Sequence, residues 1–410
     1  MTPPPHRIAY LLKKFPRLSE TFVLNEILHQ EALGQDIHIF SRRSVDDEPT
    51  HEQLASLRAT IETLPGTHTL NPWGELFVES GAAVPMENLA ALVRSMKSFQ
   101  GVRMGRLVAE AIYLHRRVRE LGIGHVHVHF ATDSAIVAMM LRALGGPPYS
   151  ITAHAKDIYR TTINPLLLGR IIADSEFTVT VCDANVQHLN SILAPDASAK
   201  LRRLYNGIDL ESFRPSGVTR DENHILAVGR LVPKKGFPVL LQALAQLRAK
   251  GSDCRATIVG DGTDREALEQ LTGELGLTEH VTFTGPQTQA RVREHLERAT
   301  VFCLPCVIDS DGNRDALPTV LLEALAVGIP VVSTPVTGIP EILDDGKAGL
   351  IVTAGDARAT ASALERLLAS AEERSALVTA GRQHVQERFD ARSVAKTLGS
   401  WLTPPTPVAN

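Results

Sequence analysis

Asp315 and Glu323 stand eight residues apart across the junction of a polar loop and an apolar helix, in VFCLPCVIDSDGNRDALPTVLLEALAVGIPVV at residues 301–332. Glu323 falls inside the apolar run Val320-Leu321-Leu322-Glu323-Ala324-Leu325-Ala326. A carboxylate there is poorly solvated unless it faces a cleft, and charged groups seldom bury without a partner. A ribose diol suits it, because an ionised carboxylate accepts two hydroxyl hydrogens. The free amides of a helix start, near Leu317 and Thr319, would meet phosphate oxygens. An exposed helix Glu beside a surface Asp would give the same spacing.

Two further stretches offer chemistry. Residues 229–236, GRLVPKKG, place three cations between a strand and a helix. Arginine supplies a fork that matches phosphate, and lysine a mobile point charge; Lys234 reads as surface. His154 follows the strand at residues 149–153, where open α/β sheets bind ligands. His125, His127 and His129 alternate, so they share one strand face. A flat row does not close a tetrahedron, and no carboxylate or cysteine adjoins it in the sequence, so no metal site is expected. Asp309-Ser310-Asp311 is a chance-level D-x-D match.

These residues need a scaffold of alternating strands and helices. Residues 301–304 read as a buried parallel strand and 305–315 as a loop; Pro318 suits a first helical turn, and Gly328 and Pro330 end that helix. Near the start, residues 8–12 form a strand, Ser19 an N-cap with Glu20 in the first turn, and Gly34 a stop before a strand at 36–40. This βαβ opening predicts a parallel sheet. Strands at 149–153 and 177–181 follow, with Asp183 capping a helix. Asn206-Gly207 marks a turn, and residues 210–223 read as a linker. A second set of strands at 225–228, 256–259 and 281–285 places Thr284 and Gly285 at a crevice, where their backbone is expected to line a base pocket. Helices are expected at 238–249, 264–275, 356–369, 371–387 and 391–402, and residues 45–88 as loops with short helices.

The 410 residues suffice for two domains, and 44% hydrophobic with 21% charged is ordinary for a globular chain. A net charge of -4 argues against general nucleic-acid binding. Four cysteines are too few for a disulfide scaffold and fit a reducing compartment. Cys303-Leu304-Pro305-Cys306 spells C-x-x-C but follows a strand and has no second pair. The N-terminal apolar run is too short for a signal peptide or a membrane span, so a cytoplasmic location is expected. Residues 94–119 carry seven basic residues against one acid, Glu110, and could form an amphipathic helix against an anionic membrane; a solvated helix face is the preferred reading, because charge runs are common on surfaces.

The motifs in order resemble the family 4 retaining glycosyltransferases of the GT-B fold: S-E-T-F at 19–22, T-A-H-A-K-D at 152–157, N-G-I-D at 206–209, G-R-x4-K-G at 229–236 and the Asp315–Glu323 pair. The first motif resembles a subgroup that builds bacterial exopolysaccharides. The resemblance covers nearly the whole chain. It implies an α/β fold of two doubly wound Rossmann-like domains facing across a cleft: residues 1–209, a linker at 210–223, and 224–387, with the C-terminal helix crossing back to the first domain. It implies sugar transfer from a nucleotide-diphosphate sugar to a saccharide, lipid-linked acceptor, with no cofactor and no metal. Arg230 and Lys235 would hold the diphosphate, and Glu323 the ribose. His154 and Asp315 would meet the transferred sugar, Asp315 being one methylene shorter than the family's Glu. Glu20, Thr21 and His129 would lie on the acceptor side. A sugar-nucleotide epimerase of the same fold, or a non-catalytic nucleotide-sugar-binding protein, would share these motifs.

Overall fold

The computed structural model describes residues 7–17, 20–45, 52–66, 85–96, 99 and 104–403. Seven parallel strands make the first sheet: β1 (Arg7–Leu12), β2 (Ile37–Ser41), β3 (Thr60–Thr63), β4 (Ile123–His129), β5 (Tyr149–Ala153), β6 (Phe177–Thr180) and β7 (Leu201–Arg203). Their order is β3-β2-β1-β4-β5-β6-β7. Six parallel strands make the second: β8 (His224–Val228), β9 (Arg255–Val259), β10 (Val281–Gly285), β11 (Val301–Leu304), β12 (Val331–Ser333) and β13 (Leu350–Ile351), in the order β10-β9-β8-β11-β12-β13. The strands are short apolar runs because helices cover both faces of each sheet.

The strand order reverses between β1 and β4 in the first sheet and between β8 and β11 in the second. Loops leaving neighbouring strands at such a point diverge to opposite faces, and the crevice between them takes a ligand. Four loops are thereby singled out: those after Leu12, His129, Val228 and Leu304. The motifs of the sequence lie on or beside them.

The last helix, Ala391–Leu402, packs on the Thr21–Ala32 helix of the first domain. Leu398 and Leu402 are buried in the same cluster as Ile8, Tyr10, Val23 and Ile27, each buried leucine contributing about 2 kcal/mol. Gln30 Nε2 donates to the Ala395 carbonyl at 2.8 Å. The crossing is pinned at the N-G-I-D turn: Ile208 N donates to Phe389 O at 2.8 Å, and Ala391 N to Ile208 O at 3.0 Å. A Cβ on Gly207 would lie 2.4 Å from Ala391 Cα, which is why the turn needs glycine there.

Three expectations change. Residues 60–63 form an edge strand, which its polar, exposed sequence TIET conceals. Ser19 lies outside the described residues, and the helix opens at Thr21 with Glu20 at its N-cap position and no side-chain cap bond. The basic segment forms two helices, Met86–Met96 and Met104–Glu120. Of its five described basic residues, Arg106, Arg116 and Arg117 are paired. Glu110, 1% exposed, accepts from Arg42 at 2.6 Å, Arg43 at 2.8 Å and Arg106 at 3.0 Å. Arg117 pairs with Glu62 at 2.8 Å, and Arg116 with Glu120 at 3.3 Å. Lys97 and Arg103 lie outside the described residues. No described helix is long and apolar enough to cross a membrane.

Candidate active site

The two reversal points open onto one cleft of about 880 Å³ between the domains. Arg17, Glu20, Thr21, Phe22, Phe130, His154 and Lys156 line it from the first domain, and Arg230, Lys234, Lys235, Asp315, Leu317, Thr319 and Glu323 from the second. The domains meet beside it: Thr161 N donates to Asp311 O at 2.9 Å, and the Glu341 carboxylate accepts from the amides of Asp183 and Ala184 at 2.9 and 3.1 Å.

On the second-domain side, the loop after β8 makes a single helical turn at Pro233–Lys235. Gly236 follows with φ of 70°, and a Cβ there would lie 1.9 Å from the Pro305 carbonyl. That close approach ties the loop after β8 to the loop after β11. It brings Lys234 Nζ to 2.8 Å from Asp315 Oδ1 and Lys235 Nζ to 2.7 Å from Oδ2. Burial would raise the Asp315 carboxyl, but Lys235 and Lys234 hold it well below the usual carboxylate range. Burial opposes the Lys235 ammonium, and Asp315 offsets this and raises it above its ordinary value. Lys234 is thus not the surface residue its sequence suggests; it is 9% exposed because the turn folds it under Asp315. The C-x-x-C lies in the same wall, with Cys303 and Cys306 fully buried. Burial pushes Cys306 up to about 12, so both residues are inert thiols at neutral pH.

Pro318 occupies the N-cap position of the Thr319–Val327 helix, and Gly328 ends it at φ of 81°. Its first amides have no intrahelical partner and open on the cleft beside Arg230. One turn in, Glu323 lines the same cleft, and burial alone pushes its carboxyl up to about 7. Among the described residues no side chain compensates it.

The first-domain wall is built on histidine. His154 follows β5; its amide donates to Asp157 Oδ2 at 3.0 Å, as does that of Ala131 at 3.1 Å. Asp157, fully buried, thereby ties together the loops after β4 and β5, and burial pushes it up to about 6. Phe22 and Phe130 flank the His154 ring at centroid distances of 4.8 and 4.5 Å. Phe130 takes φ of 74°, costly for a bulky residue, and so turns its ring into the cleft. Burial drives the His154 pKa well down, with His129 and Lys156 adding to it.

His129 was expected at the cleft. It is 1% exposed and lies behind His154, with Nδ1 3.2 Å from His154 Nε2. Its other nitrogen, Nε2, is 3.1 Å from Glu26 Oε1. The histidine row therefore does have an adjoining carboxylate, supplied by the helix after β1, which the sequence does not reveal. Glu26, His127 and His129 bring ligand-type atoms within 4.8 Å of one another. Hydrogen bonds already engage them: Tyr10 Oη donates to Glu26 at 3.0 Å, and His127 meets Ser150 at 2.8 Å and Thr152 at 3.1 Å.

Thr284 and Gly285 also miss the cleft wall. The strand turns at Gly285, whose carbonyl accepts from Gly260 N at 2.9 Å, and the lining begins at the next residues, Pro286 to Ala290. The other expected residues, Glu20, Thr21, His154, Arg230, Lys235, Asp315, Leu317, Thr319 and Glu323, share the one cleft. Glu20 is held by Arg17 at 3.0 Å.

A family model described as Glycosyltransferase Family 4 matches residues 19–212, and one described as Glycosyl transferases group 1 matches residues 209–384. Together they span both sheets and the linker. The chain belongs to the family 4 glycosyltransferases. This glycosyltransferase is 27% identical to the colanic acid biosynthesis glycosyltransferase candidate WcaL of Salmonella typhimurium, over 97% of this chain and 99% of that one. It is 28% identical to the amylovoran biosynthesis glycosyltransferase AmsK of Erwinia amylovora, again over 97% and 99%. Its fold matches Anabaena Alr3699/HepE, solved with UDP-glucose, with a TM-score of 0.74 at 16% identity over 96% of this chain and 99% of that one. The fold is therefore GT-B, and the enzyme is a glycosyl-transferring transferase.

Proposed function

We propose that this glycosyltransferase moves a sugar, with retention of anomeric configuration, from a nucleotide-diphosphate sugar to a lipid-linked saccharide in exopolysaccharide assembly. The single observation that carries the reading is the convergence on one cleft of Arg230, Lys235, the helix start at Leu317 and Thr319, and the desolvated Glu323. The biosynthetic roles in the names of WcaL and AmsK support the polysaccharide assignment, and the UDP-glucose of HepE makes UDP the first nucleotide to test.

In this reading the ribose diol donates to Glu323, and the pyrophosphate lies between the helix amides and the two cations. The bond from the anomeric carbon to the phosphate oxygen breaks as the bond to the acceptor oxygen forms, and the acceptor proton passes to the leaving phosphate. Charge grows on the pyrophosphate, where each preorganised donor is worth about 3 kcal/mol. These donors stand in for a metal ion, so activity is expected to survive EDTA. Asp315 keeps Lys235 in place and offers its remaining lone pairs to the sugar. His154 flanks the sugar, and Glu20 and Thr21 meet the acceptor.

Thermal shift of the purified chain against UDP, GDP and ADP tests the nucleotide claim, because a bound ligand raises Tm by mass action. One nucleotide should stabilise the wild type and lose that effect in Glu323→Gln and Arg230→Ala. No shift with any of them, or a shift indifferent to both substitutions, would overturn the reading. A disaccharide product separates transfer from epimerisation. Slow donor hydrolysis without acceptor separates catalysis from binding alone.

A further inference from the structure

Behind His154 the core holds a line of groups that the transfer itself does not use. Glu26 Oε1 lies 3.1 Å from His129 Nε2, and His129 Nδ1 lies 3.2 Å from His154 Nε2. Glu26 sits on the Thr21–Ala32 helix, His129 ends β4 and His154 follows β5, so three elements meet in one line. His129 is 1% exposed, and both pairs are at direct hydrogen-bonding distance.

Hydrogen-bond directions follow from the chemistry of the groups. An ionised carboxylate only accepts. Glu26 also accepts from Tyr10 Oη at 3.0 Å, so its partner atom on His129 must carry a proton. In a neutral imidazole the second nitrogen is then bare and accepts. His129 Nδ1 therefore takes the Nε2 proton of His154, and His154 keeps a lone pair on Nδ1.

We propose that Glu26 and His129 are positioning residues: they fix His154 as the Nε2–H tautomer, so that its bare Nδ1 stays toward the Asp157 amide and the ring keeps one orientation against a sugar in the cleft. The proposal rests on the reading above only for what His154 meets. The tautomer itself is a property of the free protein. The line has the logic of a carboxylate that orients a working histidine, extended by a second imidazole. It accounts for the buried His129 and the half-buried Glu26, and it explains why a histidine ends β4 where the neighbouring strands carry small or apolar residues.

The test combines spectroscopy with two variants. In wild-type protein with nitrogen-15 in its histidine rings, His154 should show a protonated Nε2 and an unprotonated Nδ1. His129→Phe keeps a ring in the stack and removes both nitrogens. His129→Asn loses ring volume but can keep an acceptor facing His154. If the role is positioning, His129→Phe loses kcat on the order of 10- to 100-fold, as a small misplacement in an active site does. Nucleotide Kd should stay within about twofold, since no nucleotide contact is removed. His129→Asn should retain more kcat than His129→Phe although it packs worse. Packing alone predicts the opposite order, with kcat following Tm. A mixed or Nδ1–H tautomer in the wild type overturns the proposal, as does wild-type kcat in His129→Phe. So does one equivalent of a divalent metal that co-purifies with the chain and is lost in that variant. Full activity in His154→Ala would instead remove the role given to His154, while the ring spectrum still decides the tautomer.

Discussion

Lys235 Nζ lies 2.7 Å from Asp315 Oδ2, and Lys234 takes the other oxygen at 2.8 Å. Two loops from two strands are thereby locked around one buried carboxylate. Because the acid is flanked on both sides, removing it leaves two like charges in a poorly solvated wall. Asp315→Ala should lower stability by about 3 kcal/mol, the cost of breaking a buried pair. The carboxyl is held below its ordinary range, so its stabilisation is complete above the unfolded value of 3.8 and is lost as pH falls below that. Urea unfolding of wild type and variant should therefore converge on acidification. Lys235→Ala should lose at least about tenfold in turnover. An unchanged rate would separate this lysine from the pyrophosphate.

Glu323 behaves in the opposite sense. Burial pushes it up to about 7, so the folded chain holds a proton there that the unfolded chain releases near 4.5. That contribution to stability is present below 4.5 and is lost as pH rises through about 7. Glu323→Gln should raise Tm of the ligand-free protein at about pH 8 and leave it little changed at about pH 5. A ribose diol reverses the preference by donating to the ionised form. Nucleotide affinity of the wild type should then climb with pH up to about 7 and level off, with proton release seen by calorimetry in buffers of different ionisation enthalpy. The Gln variant should bind roughly 10- to 100-fold more weakly, and the phosphate's own titration cancels in the comparison. Identical pH profiles in the two proteins would exclude Glu323 as the ribose ligand.

The sequence carries the scaffold well because strands buried on both faces are short apolar runs, and because Gly207, Gly236 and Gly328 stand where only glycine fits. It carries the cleft through motifs that lie next to strand ends. What it hides are pairings across long separations. Glu26 and His129 are 103 residues apart, and Lys234 and Asp315 meet only because Gly236 lets one loop reach Pro305. Neither local spacing nor hydrophobic period reports such a meeting. Counting charge along residues 94–119 overstates the free charge for the same reason, since Glu62 approaches from another element, as do Arg42 and Arg43 toward Glu110.

His154→Ala should separate binding from turnover. The ring is driven well below its ordinary pKa by burial and by its cationic and imidazole neighbours, so it is neutral throughout the physiological range. It therefore acts by hydrogen bonding and shape, with no charge of its own. Turnover should fall on the order of 100-fold while nucleotide affinity is kept. The wild-type rate should show no limb near 6.5 that disappears in the variant. Such a limb would mean that His154 titrates during the reaction.

The basic segment gives the last prediction. Each cation near an anionic bilayer is worth about 1 kcal/mol, but only while it is free to face the lipid. Arg106, Arg116 and Arg117 are engaged by Glu110, Glu120 and Glu62, and Glu110 also holds the buried Arg42 and the half-buried Arg43. Arg94 and Arg119 carry no ion pair among the described residues, and two cations supply about 2 kcal/mol, which is marginal for peripheral binding. Flotation with anionic liposomes at physiological salt should leave most of the protein unbound. Arg117 also pairs with Glu120, so the double substitution of Glu62 and Glu120 with Gln releases it and should increase the floated fraction. Full flotation of the wild type, insensitive to that substitution, would place the lipid contact on another surface and leave these helices a solvated face of the first domain.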